Sequence, residues 1–223
     1  MSTRLLATLA VGSIVLIAGC SAGGNDAKDD APTNADSSPS VSKPKYTKFA
    51  DFPGKDFVTT EPGLKLGVRV KPVDTRWAPE LVGKPADAGK HYFAVYVAVT
   101  GELADRGVEN VKLSYLRLKF KSSTGEKCGF GQSENCYYEA FPSSQLEELE
   151  KVSDGEWRNA TWTESILGTN IERGETKIGV VGFSLPDTEK ATSFELCGPT
   201  KEAMVDTDRF ACVPVKTPDK NAG

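Results

Sequence analysis

The chain has a single histidine, His91, among its 223 residues. That excludes any metal site built on two histidines, and a Ser–His–acid triad would have to use this one. No G-x-S-x-G elbow accompanies it, and at the start of an apolar run its expected role is a rim or surface imidazole. A basic excess is also missing, since Lys and Arg total 27 against 31 acids, for a net charge of −4. Nucleic-acid binding needs a basic stripe, and electrostatic membrane docking a polybasic patch. Neither is present, and the mild acidity confers solubility. The sequence contains no internal repeat. Its first apolar run, Leu5 to Ala18, is interrupted only by Thr8, Gly12 and Ser13. This is short of the roughly 20 apolar residues that cross a bilayer.

What is there begins with an export signal. Arg4 and the amino terminus precede the apolar run, and Ala18 and Gly19 offer a peptidase two small residues. Ile17-Ala18-Gly19-Cys20 resembles the bacterial lipobox. The resemblance implies cleavage after residue 19, a diacylglyceryl thioether on Cys20, and an amine open to acylation, for instance by palmitate. Two acyl chains anchor stably where one does not. The chain has five cysteines, so Cys20 is the odd thiol and four are left to pair. Removing residues 1–19 takes Arg4 and no acid, leaving the remainder one charge more negative. The expected location is the extracytoplasmic face of the cell membrane.

Residues 20–46 read as a flexible tether. Gly, Ser, Pro, Asn and Asp dominate, and Val41 is the one large aliphatic residue before Tyr46. Such a stretch buries too little apolar surface to offset its ordering entropy. Asp26, Asp29 and Asp30 are solvated linker acids on this reading, not a metal cluster. Residues 47–216 form one expected domain, and 217–223 a disordered tail.

Within that domain, period-two alternation recurs. Leu64 to Val70 alternates, and His91 to Thr100 places Phe93, Val95, Val97 and Val99 on one face. Tyr92, Ala94, Tyr96 and Ala98 form the other face, which predicts a central strand covered on both sides. Val111 to Phe120 shifts phase once, as a bulge or a strand crossing between sheets would. Further strands are expected at Thr176–Pro186, Ser193–Cys197 and Phe210–Val215. About seven short strands with intervening turns predict an all-β, antiparallel sandwich. A long insertion, about residues 128–165, separates its halves and carries the one expected helix, SSQLEELEKV. There Ser144 and Glu147 make a capping box, and Leu146, Leu149 and Val152 share a helical face. Glu147, Glu148 and Glu150 would lie on its solvated side.

The stretches GKHYFAVYVAVTGE, LRLKFKSSTGEKC and RGETKIGVVGFSLP resemble the immunoglobulin-like domain of uncharacterised Gram-positive lipoproteins. That family is distantly similar in fold to a small secreted mycobacterial immunogen. Gly174, Glu175, Gly179, Phe183 and Pro186 carry the late-strand pattern, and the resemblance spans Gly89 to Leu196. It implies an immunoglobulin-like β-sandwich at the envelope with an unknown or binding role, and it brings no active site. The insertion departs from the compact family pattern.

Cys128, Cys136, Cys197 and Cys212 allow three disulfide connectivities. Nearest-neighbour pairing, Cys128 with Cys136 and Cys197 with Cys212, is favoured. Zinc needs close C-x₂₋₄-C pairs, which these spacings do not supply. No metal or cofactor is expected. Tyr137, Tyr138, Phe141, Trp157 and Trp162 are candidate partner-binding residues, since aromatics on loops often anchor interfaces. The competing reading makes them a satellite core beneath the insertion. Asn159-Ala160-Thr161 fits a glycosylation sequon, which in a bacterial lipoprotein is expected to be chance. The leading expectation is a non-catalytic binding module for an envelope protein or wall component. The alternatives are an envelope hydrolase using acids of the insertion, which needs two suitably spaced carboxylates, and an apolar-ligand carrier, which needs a cavity between the sheets.

Overall fold

The computed structural model describes residues 45–122, 128, 134–150 and 152–218. They lie in one compact unit, Ser42–Gly223. Cys20, the signal segment and residues 20–44 of the expected tether lie outside the described residues.

The protein is all-β, with sandwich-like sheets. Eight principal strands carry it: β1 (Phe57–Thr59), β2 (Val68–Ala78), β3 (Lys90–Gly101), β4 (Arg117–Lys121), β5 (Asn135–Ser143), β6 (Thr176–Pro186), β7 (Phe194–Gly198) and β8 (Ala211–Val215). Hydrogen bonding joins them in the order β8-β7-β4-β5-β6-β3-β2-β1, every pairing antiparallel. The path folds over at β5. Residues Asn135 to Glu139 pair with β4, whereas Ala140 and Ser143 pair with β6 across a register shift. One half of β5 therefore belongs to each sheet, and the two sheets face one another.

Between them lies the main core. Phe93, Val95, Val97 and Val99 of β3 pack there with Val181, Phe183 and Leu185 of β6. Leu118, Phe194 and Leu196 come from the facing sheet, and all ten are fully buried or nearly so. The alternate β3 residues, Tyr92, Ala94, Tyr96 and Ala98, enter a second core on the outer face of the same sheet. The two-sided burial expected for β3 is what the fold has, because β2 and β6 flank it and both faces are covered.

Several elements differ from the sequence expectation. β2 starts at Val68 and continues past Pro72 to Ala78, with a register shift between Pro72 and Asp74. A bulge tolerates a residue that cannot donate to the ladder. The phase shift after Val111 comes from a 3-10 turn, Leu113–Tyr115, between a short strand, Val108–Val111, and β4. That short strand pairs with Thr169–Ile171. Tyr46, expected as the last tether residue, is buried, and Lys45–Tyr46 pairs with Val152–Ser153. At the other end, the carbonyls of Lys216 and Pro218 accept hydrogen bonds from Thr75 Oγ1 and Trp77 Nε1. Packing thus reaches past residue 216 to Pro218.

The expected helix over SSQLEELEKV does not form. Ser144 instead exchanges backbone and side-chain hydrogen bonds with Val180, and Glu147–Glu148 pairs with Lys177–Ile178 of β6. The backbone groups of β6 beyond the end of β5 would otherwise lack a partner, and that ladder outweighs a weak local helix preference. Leu146 enters the main core and Leu149 packs on the second, so the two leucines face opposite ways.

Candidate functional site

The second core is where the insertion meets the sheet. The segment after Ser143 follows the edge of β6, includes the short strand Val152–Ser153, turns at Asp154–Gly155, and returns through a 3-10 turn, Glu156–Asn159, to Trp162. Its backbone is closed by Gln145 N–H donating to Thr163 O and Ser165 N–H to Ser143 O. Gly179 of β6 permits this close cover, since a Cβ there would stand 3.0 Å from Leu146 and 3.2 Å from Ser144 Oγ.

Trp157 and Trp162 are buried, 3% and 9% exposed. Both belong to the second core beneath the insertion. Trp157 packs with Tyr46 and Phe52, at ring-centroid distances of 5.7 and 6.0 Å, and Trp162 stands 6.3 Å from Tyr96. Both indoles are pinned: Trp157 Nε1 donates to Asp74 Oδ2 at 2.8 Å, and Trp162 Nε1 to Trp157 O at 3.0 Å. Arg158 grips the same carboxylate with two donors, Nε to Oδ2 and Nη2 to Oδ1. Burial alone would raise the Asp74 carboxyl, but hydrogen bonds from Arg158, Trp157 and the Thr75 N–H outweigh it and hold it below its ordinary value.

The other aromatic candidates are not brought to the same place. Tyr137 and Tyr138 lie on the half of β5 that pairs with β4. Tyr137 Oη donates to Thr207 O and Asp208 Oδ1, and Tyr138 Oη to Glu189 Oε2. Burial, then the neighbouring Asp208 or Glu189 carboxylate, drives both phenols well above their ordinary value. Tyr138 also stacks on Phe120 at 5.0 Å. Phe141 is 52% exposed, with Lys84 Nζ 4.7 Å from its ring centroid.

Two disulfides form, Cys128–Cys136 and Cys197–Cys212, the nearest-neighbour pairing. The second ties paired residues of β7 and β8. His91 Nδ1 lies 2.6 Å from Asp187 Oδ1, with Trp77 edge-on to the ring, and Nε2 is buried with no hydrogen-bond partner among the described residues. No serine hydroxyl is hydrogen-bonded to it among the described residues.

The insertion encloses an open groove of about 480 Å³. Val152, Trp157, Ala160, Trp162 and Ile178 make its apolar floor, while Glu147, Glu148, Glu150 and Glu156 stand on its rim. These acids all belong to the insertion, but none of the four is buried. Sequence reasoning missed Asp74 and Arg158, which fix the floor, because their pairing spans 84 positions. It also missed Glu61, a buried carboxyl accepting the Lys112 N–H at 2.6 Å.

No known protein family matches the chain, and no curated protein matches it. Among solved structures it is similar to an uncharacterized beta-sandwich protein from Clostridium difficile 630. The two are 12% identical, with 66% of this chain and 85% of that chain covered, at a TM-score of 0.37.

Proposed function

We propose that the protein is a non-catalytic binding module held by a lipidated Cys20 at the extracytoplasmic face of the cell membrane. Its sandwich is read as immunoglobulin-like, and the insertion face carries the site. The observation behind the binding reading is the groove over Trp157 and Trp162. Its floor is apolar and fixed by hydrogen bonds, and its walls come from a segment laid along the edge of β6. Preorganised apolar surface with a charged rim is the form that recognition sites take. The space between the sheets is filled by Phe93, Phe183, Phe194, Leu118 and Leu196, which favours surface binding over carriage of an apolar ligand.

Two measurements test this. Intact mass of the membrane-extracted chain should show a first residue Cys20 bearing acyl chains; an unmodified Cys20 would remove the anchor. Hydrogen exchange of the full chain, with and without solubilised envelope proteins, should show added protection across residues 147–162. Protection confined to other strands would move the site elsewhere.

A further inference from the structure

We infer that residues 45–52 form a strap that opens and closes over Trp157, beside the groove. The strap stands apart from the binding reading above; only its effect on an occupant rests on that reading. The short strand Lys45–Tyr46 pairs with Val152–Ser153, and a 3-10 turn, Phe49–Asp51, follows it. Tyr46 and Phe52 stack with ring centroids 4.5 Å apart, and both pack against Trp157. Val152, the register partner of Tyr46, is itself a groove residue. Release of the strap would therefore uncover Trp157 and free the outer edge of Val152.

What lies beneath the strap is not a permanently dry core. Lys71 of β2 is 6% exposed, and no carboxylate pairs with it among the described residues. Its ammonium donates to Phe49 O at 3.3 Å and Phe52 O at 2.9 Å, and stands 4.6 Å from the Phe49 ring centroid. Thr176 of β6, also buried, accepts the Phe49 N–H at 3.0 Å. Lysine is almost never buried without a paired charge, and apolar residues fill a permanently buried site at lower cost. Lys71 and Thr176 suit a surface that meets strap backbone in one state and water in the other. Closed, they satisfy the strap's carbonyls and N–H; open, all these groups are hydrated and none is stranded.

The strap is also built to move as one piece. Asp51 Oδ2 accepts the Thr47 and Lys48 N–H groups and the Thr47 hydroxyl, all within the strap. Beyond it Pro53 and Gly54 are exposed, and Gly54 has a φ of +96°. That bend before β1 is the hinge. The only ladder at the other end is two residues long, so the strap opens locally, at less cost than unfolding β3.

The test is acetylation of lysines in the full chain with N-hydroxysuccinimidyl acetate, read by peptide mass spectrometry, beside hydrogen exchange of β3. Lys71 should label more slowly than Lys48, which is exposed, yet its opening constant should exceed that of the β3 amides by about tenfold or more. Low urea should raise β3 exchange steeply and Lys71 labelling little, since the strap exposes little surface. Tyr46→Ala removes the stack and should raise Lys71 labelling about tenfold or more. Thr176→Val removes only the acceptor of the Phe49 N–H and should raise it about fivefold. Thr217→Val removes a hydroxyl hydrogen bond to Thr192 O outside the strap, and should leave Lys71 labelling unchanged. Lys71 labelling that tracks β3 exchange under all conditions would make the strap a permanent part of the core. Labelling as fast as at Lys48 would mean that the strap never closes. Either result, or no response to both strap variants, overturns the inference. If the strap opens as described while a photoreactive group at Ala160 captures no partner in cells, the strap stands and the binding reading falls. A dominant partner captured at Ala160, with a strap that fails these tests, leaves the binding reading in place.

Discussion

The indole N–H of Trp157 donates to Asp74 Oδ2 at 2.8 Å, across 83 positions of sequence. This contact, with the Arg158 grip on the same carboxylate, fastens the insertion to β2 and fixes the groove floor.

Asp74→Ala is therefore expected to lower stability by about 2–3 kcal/mol, the scale of lost charge-assisted hydrogen bonds. Because the folded carboxyl sits below its unfolded value of 3.8, its contribution is fully present above that value. It is lost as pH falls through the folded pKa. Urea unfolding should show a large difference between wild type and variant near neutrality, shrinking in strong acid. A constant difference would contradict the ionised tie.

Tyr96→Phe should stabilise the protein, against the usual direction for a core change. Tyr96 is 0% exposed, and its hydroxyl has no hydrogen-bond partner among the described residues. Removing an unsatisfied buried hydroxyl returns about 1–2 kcal/mol, read as a rise in Tm. A fall in Tm would mean that the hydroxyl is satisfied in solution.

Glu61→Gln should change how stability depends on pH. Burial pushes the Glu61 carboxyl up to about 7 from 4.5, although the Lys112 N–H and charge pull it down. The native state then holds a proton that the unfolded chain has released, so wild-type stability falls as pH rises between those values. Relative to the wild type, the glutamine variant should gain at most about 3 kcal/mol between pH 4.5 and pH 7. Denaturant midpoints measured across that window check it, and parallel curves would refute it.

Replacing Cys197 and Cys212 together by serine should cost about 3 kcal/mol, as expected for releasing a loop of this size. The bonded residues are 15 apart. Thermal unfolding of oxidised, reduced and doubly substituted protein checks it. Reduction should bring the native protein toward the variant.

Much of the architecture was legible because burial writes itself into alternation. β3 and β6 are long, covered on both faces, and rich in β-branched residues, so their existence and extent could be read directly. Of the three cysteine connectivities open in the sequence, the favoured nearest-neighbour pairing is the one that forms. The insertion resisted for a different reason. Ser144 and Glu147 satisfy a local helix signature, but β6 offers a hydrogen-bonding edge from a position some 30 residues later, and no local pattern reports that edge. The aromatics were visible as a group, yet composition does not separate Trp157, which is pinned by Asp74, from Phe141, which is exposed. Nor could the sequence show that Glu147, Glu148, Glu150 and Glu156 surround one apolar floor.

The most direct test of the central claim is in-cell photo-cross-linking from Ala160, an exposed residue of the groove, against the same group at Val205, which is 90% exposed. The account predicts one dominant adduct from Ala160, absent from Val205 and lost when Trp162 is replaced by alanine. Equal adducts from both positions, or none from Ala160, would contradict a binding site on the insertion face.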